Sequence, residues 1–252
     1  MTKRYALRDD QWTRIKNQLP GREGTVGATA KNNRLFVEAV LYRYRAGIPW
    51  RDLPSRFGDF RVVHTRHSRW SKKGIWEMLF QHLAVDSDNE YQMIDATIVR
   101  AHQHSAGAKN SDKNECIGSS VGGLSTKIHA ICDALGNPTQ FYLTPGQAHD
   151  LQGADVLLAG VEADFFLADR AYDAQERVID RLQAKNCQIV IPPKSNRIEP
   201  REYDKHLYKA RHLIENFFAK LKQYRAIATR YDKTAINFLG SIYLASSVIW
   251  LN

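Results

Sequence analysis

The sequence predicts an α/β protein: a mixed sheet with flanking helices, preceded by a small helical domain that resembles a helix-turn-helix module. Three observations carry this expectation. Residues 1–85 read as short helices joined by tight turns. After the polar stretch Asp86-Ser87-Asp88-Asn89, strand-like runs begin to alternate with helix-period segments. The balance of charge also changes sign at that boundary. Two domains follow, a helical one over 1–85 and a sheet domain over 90–252.

In chain order, Asp9 and Asp10 are placed to cap a first helix that carries Trp12, Ile15 and Leu19 and stops at Pro20-Gly21. A Gly-rich loop, Gly21 to Gly27, leads to Leu35, Phe36, Ala39, Val40 and Tyr44 at helical spacing, and Gly47-Ile48-Pro49 ends that helix. Trp50 to Pro54 reads as a turn into another helix, and a further one spans Val62 to Trp70. Tyr91–Val99 reads as a strand, followed by a long polar loop from Arg100 to Gly123. Strands at Thr126–Cys132 and Gln140–Leu143 flank the turn Asp133–Pro138. Asp150 is placed to cap a helix reaching Gly160. A strand at Asp164–Ala168, a helix at Ala174–Lys185 and a strand at Gln188–Ile191 come next. Helices over about 206–224 and 234–250 close the chain. Three strands, helix, strand, helix, strand, helix is the element order of the ribonuclease-H-like fold.

The chain has 252 residues, 36 Lys and Arg against 27 Asp and Glu, and a net charge of +9. Its 43% hydrophobic and 25% charged residues exclude wholesale disorder. Three scattered cysteines without zinc-type spacing disfavour a disulfide scaffold or zinc finger and fit a reducing cytosol. The N-terminus lacks the apolar core of a signal peptide, and the apolar stretch 242–251 is too short to span a bilayer. A soluble, cytoplasmic protein without a membrane partner is expected. Divided along the chain, the charge is +10 over 1–85, −7 over 86–192 and +6 over 193–252. Basic ends of this strength attract a polyanion by counterion release, although a solvated cationic surface has the same composition. Arg43, Arg45, Arg51, Arg56, Arg61, Arg66 and Arg69 interleave with aromatic residues, which favours DNA as the partner.

Three acids stand out by position. Asp95 lies within an otherwise apolar strand, where a carboxylate is costly unless paired or bound to a cation. Asp169 ends the apolar run Phe165–Ala168, at the strand edge where α/β sheets place their sites. Glu215 lies in the helix beginning near His206, and Tyr208, Arg211, Glu215 and Lys222 fall within roughly 60° of one another on an ideal helix. Convergent carboxylates bind Mg²⁺ or Mn²⁺, and two such ions support phosphoryl transfer. Taken singly, each acid is better explained by a private salt bridge, such as Glu215 with Arg211; for all three together, on the first strand, the fourth strand and the helix, that reading is the weaker one.

Tyr208-x2-Arg211-x3-Glu215-x6-Lys222 resembles, at every spacing, the Y-x2-R-x3-E-x6-K signature of bacterial insertion-sequence transposases of the DDE class, in the group named after insertion sequence five. Asp95-Ala96-Thr97 and Leu167 to Asp173 resemble the blocks around its first two catalytic aspartates, and residues 122–129, 146–150 and 46–54 resemble further stretches of the group. Only 45 residues separate Asp169 from Glu215, leaving no room for a large insertion domain. The resemblance implies Asp95, Asp169 and Glu215 as the catalytic, metal-binding triad for two Mg²⁺ or Mn²⁺ ions. It implies Tyr208, Arg211 and Lys222 as holders of the transposon end. The activity implied is cleavage at terminal inverted repeats and transfer of 3′-hydroxyl ends to target DNA, by a homodimer or higher oligomer that synapses two ends of duplex DNA.

Arg43, Arg45, Arg51 and Lys127 are the further candidates for DNA contact, with a surface lysine as an equal reading of Lys127. His102-Gln103-His104 is weak evidence of a metal pair, and His129 reads as structural. Two rivals retain much of this reading: a transposase-derived DNA-binding protein without strand transfer, and a nuclease of the same fold.

Overall fold

A computed structural model describes residues 5–22, 24, 29–105, 115–120, 122–197 and 199–252. Residues 23 and 25–28 of the Gly-rich loop and residues 106–114 and 121 of the loop expected after Arg100 therefore lie outside the described residues. Helix α1 (Asp9–Ile15) begins one residue earlier than a cap by Asp9 requires: Arg8 holds the N-cap position, and its amide donates to Gln11 Oε1 at 3.0 Å. Asp9 and Asp10 instead occupy the first turn, where carboxylates complement the helix dipole. Asn32 caps α2 (Asn33–Ala46) by accepting the Leu35 amide, and Gly47 ends it at φ +71°, a conformation that a Cβ strains. The turn expected at Trp50–Pro54 contains a 3₁₀ turn, Trp50–Asp52, and leads only into a second short one, Ser55–Phe57. Asp59 then caps α3 (Phe60–Lys72), and α4 (Ile75–Ala84), absent from the sequence expectation, follows after Gly74.

The sheet begins with β1 (Tyr91–Ala101) and continues through β2 (Gly118–Ser120), β3 (Gly123–Cys132) and β4 (Pro138–Pro145). After α5 (Leu151–Leu157) comes β5 (Phe165–Leu167); a π-turn at Gln175–Ile179 leads into α6 (Asp180–Gln183), and β6 (Gln188–Val190) follows. β3 lies antiparallel between β1 and β4, while β1, β5 and β6 run parallel. The spatial order β4-β3-β1-β5-β6 is the mixed, ribonuclease-H-like arrangement expected from the element order. One face buries Ile94, Ile131, Phe166 and Ala168 beneath Leu151, Leu157, Val178 and Leu182. On the other, α7 (His212–Lys222) packs Phe217 against Phe141 of β4, with ring centroids 5.8 Å apart.

Chain contacts divide the molecule into two units, residues 84–220 and residues 1–83 with 221–252. The terminal helix, which the sequence places in the second domain, thus belongs with the first four helices. There α8 (Arg225–Ala228) and α9 (Ala235–Trp250) complete the helical unit. Its interior holds a directed polar chain. Trp76 Nε1 donates to His67 Nδ1 (3.2 Å), leaving the His67 proton on Nε2 toward Tyr44 Oη (3.1 Å), and Tyr44 donates to Asp232 Oδ2 (3.0 Å). Burial lowers the His67 pKa to about 4, so the ring is neutral. No helix among the described residues is long and apolar enough to cross a membrane.

Candidate active site

Sheet register brings the first two acids together. β1 and β5 pair in parallel with Met93 opposite Leu167, so the positions two residues further on, 95 and 169, sit side by side at the carboxyl ends of neighbouring strands. Each aspartate fixes one oxygen on backbone: the Ala96 amide donates to Asp95 Oδ1 (2.7 Å), and the Ala171 amide to Asp169 Oδ1 (2.8 Å). In the second case the bond starts the 3₁₀ turn Arg170–Tyr172. Burial raises the Asp95 pKa; the Ala96 amide and Arg211 oppose that rise, and the nearby Asp169 charge adds to it.

Arg211 is the third participant. Its Nη1 donates to Asp95 Oδ2 at 2.8 Å and its Nη2 to Glu215, so one guanidinium bridges the two acids. Burial works against that charge, but the Asp95 and Glu215 carboxylates hold the Arg211 pKa above its usual value. The expected helix is not uniform here. Leu207–Arg211 is 3₁₀ and only His212–Lys222 is α-helical. Tyr208 and Arg211, three apart, eclipse on the 3₁₀ segment. Lys222 is the last residue of α7, two turns beyond Glu215. Burial lowers its pKa.

Among the described residues, no three His, Cys, Asp or Glu side chains are gathered closely enough to hold a metal ion as they stand. The donor chemistry nevertheless fits a hard divalent cation. Two adjacent aspartates each turn one oxygen away from the backbone, and their mutual repulsion is what such an ion relieves. A buried polar atom points the same way. The Tyr172 hydroxyl, on a residue 1% exposed, has no hydrogen-bond partner among the described residues. Burial, then the charges of Asp150, Asp95 and Asp169, raise its pKa well above the ordinary value. Sequence reasoning gave Tyr172 no role; its signal was an aromatic hydroxyl three residues after Asp169.

Other candidates are placed elsewhere. Arg43 is 3% exposed, lies 3.4 Å from Asp232 and stacks on Tyr44 and Trp50, so it is a buried structural cation and not a DNA contact. Lys127, 8% exposed, donates to the Ala148 carbonyl (2.5 Å) and Asp150 (2.7 Å), pinning the loop before α5 rather than facing solvent. Asp150 is consequently no side-chain cap; the Leu151 amide bonds His149 Nδ1 at 3.2 Å instead. Arg45 is half-buried, over the Tyr224 ring at 4.7 Å, and Arg51 is exposed. His129 is buried against Thr144 at 2.8 Å, and burial lowers its pKa to about 4.

Two family models match the chain. Residues 7–80 match the model described as "Putative transposase of IS4/5 family", and residues 87–250 match "Transposase DDE domain". The "Putative transposase for insertion sequence element IS6501" of Brucella ovis is 41% identical over 132 residues, covering 51% of this chain and 99% of that relative. "Uncharacterized protein y4sN" of Sinorhizobium fredii is 50% identical over 107 residues, covering 42% of this chain and 84% of that protein. Among solved structures, the Mos1 transposase paired-end complex with left transposon end is similar at 11% identity and a TM-score of 0.28, over 85% of this chain and 86% of that one. With more than half of its length matched by the DDE-domain model, the chain belongs to the DDE transposase family.

Proposed function

We propose that this transposase binds the terminal inverted repeats of its own insertion sequence, cleaves the element ends and joins their 3′-hydroxyls to target DNA. The observation that carries the reading is the side-by-side placement of Asp95 and Asp169, with Arg211 linking Asp95 to Glu215. Two Mg²⁺ or Mn²⁺ ions bound there supply activation of the attacking oxygen and stabilisation of the leaving one. Asp95 and Asp169 hold such ions through the oxygens not taken by backbone amides, and Glu215 joins them once Arg211 releases it. The planar fork of Arg211 fits a phosphate as it fits a carboxylate. A DNA phosphate entering the site therefore gives Arg211 an alternative partner and frees both Asp95 Oδ2 and Glu215. Tyr208 and Lys222 contact the transposon end, the first by its hydroxyl and the second as a point charge.

Because two ends must be held at once, the working form is a homodimer or a larger assembly. A plasmid in which the DNA flanking the coding sequence on both sides brackets a marker tests the proposal. Incubated with the protein, Mg²⁺ and a target plasmid, it should yield the marker joined to the target. Cleavage without joining identifies a nuclease, and binding without cleavage identifies a DNA-binding derivative.

A further inference from the structure

We propose that α3 is the element of the helical unit that reads base sequence, lying in the major groove of duplex DNA with Val62, Thr65 and Arg69 against base edges. The proposal rests on the DNA-binding reading given above and deepens it. Over Phe60–Lys72 the chain carries Arg61, Arg66, Arg69 and Lys72 and not one acid, with Lys73 next in sequence. Their placement is one-sided. Val63, His67, Trp70 and Ser71 are buried, whereas Arg61, Val62, Thr65, Arg69 and Lys72 are exposed and fall within about 100° of one another on the helix.

Arg66 is not part of this set, since it lies over the Phe36 and Trp70 rings at 4.2 and 4.7 Å and bonds Asn33. Arg61 shares only an exposed ion pair with Asp59, and surface pairs of that kind hold weakly. Arg69, Lys72 and Lys73 have no acidic partner among the described residues. The stripe borders a groove of about 750 Å³ whose lining includes Arg61, Val62, Thr65, Arg69 and Lys73.

Charge alone fits any polyanion. What points to duplex bases is Val62, 66% exposed at one edge of the stripe and on the same helix face as Arg69, seven residues on. An apolar side chain there gains nothing from phosphate but can meet a thymine methyl, while Arg69 can bond guanine and Thr65 either kind of edge. A helix about 10–12 Å across with its side chains fits a major groove about 12 Å wide, and Lys72 and Lys73 at the end of α3 reach phosphate.

The test enriches a randomised duplex library on the full-length protein and compares binding of the enriched duplex and a scrambled one by fluorescence anisotropy. All substitutions are at exposed positions, and unchanged far-ultraviolet circular dichroism confirms folding. Val62→Ser and Arg69→Ala should each weaken the enriched duplex roughly 5- to 150-fold and the scrambled one little. Lys73→Ala should weaken both alike and lower the salt slope by about one. Equal loss on both duplexes for Val62→Ser and Arg69→Ala would show phosphate tracking and overturn base reading. Unchanged binding by these variants would overturn the placement of α3 on DNA while leaving the DNA-binding reading intact. If the wild-type protein enriches no duplex, that broader reading fails as well.

Discussion

Arg211 occupies, among the acids, the electrostatic position of a cation. It is bonded to Asp95, 116 residues away in sequence, and to Glu215, four residues on. The second bond follows from helix spacing; the first depends on the fold and left no trace in the sequence. Replacing Arg211 by Ala removes charge-assisted bonds from a partly buried carboxylate. Without divalent cations the protein should lose about 1–3 kcal/mol of stability. Because Mn²⁺ no longer competes with the guanidinium for Asp95 and Glu215, its affinity for the DNA-free protein should rise. Denaturant titration and calorimetric Mn²⁺ titration check the two halves. A variant that binds Mn²⁺ more weakly would show that Arg211 organises the acids rather than competing for them.

Buried cations mark the limit of what single residues disclose. Arg43 and Lys127 look like surface charges in sequence because their partners, Asp232 and Asp150, lie 189 and 23 residues away. Composition records a charge but not its neighbour. Asp95 was more informative, since a carboxylate inside an apolar strand has few explanations.

Among the elements, strands and helices with clear periodicity were legible and irregular ones were not. The three antiparallel strands, β5, β6 and the terminal helices follow from pattern. Helix α4 was missed although its signal is present, with Trp76, Leu79, Phe80 and Leu83 at i, i+3, i+4 and i+7, the spacing of an amphipathic helix. The π-turn before α6 and the 3₁₀ start before α7 are products of packing. One close approach fixes how α5 lies on the sheet: a Cβ on Gly153 would stand 2.2 Å from Nδ1 of the buried His129. Gly153→Ala must displace the ring from Thr144 or push α5 outward, and should cost about 1–3 kcal/mol. Thermal denaturation measures it; an unchanged melting temperature would show that α5 is not held against His129.

At the scale of the whole molecule, the division of charge follows function better than the total does. The acidic stretch 86–192 contains Asp95 and Asp169, and basic segments precede and follow it. The catalytic fold was legible from element order because each strand and helix kept its own pattern. The membership of residues 221–252 in the helical unit was not, since nothing in a local pattern says which surface a terminal helix covers. The most direct measurement is metal-dependent strand cleavage of duplex bearing the DNA that flanks the coding sequence, by wild type and by Asp95→Ala, Asp169→Ala and Glu215→Ala. Each alanine variant is expected to bind the duplex as wild type does and to cleave at least about 10³-fold more slowly, the loss of several kcal/mol of charge stabilisation. Cleavage that persists at the wild-type rate in any one of the three would contradict that expectation.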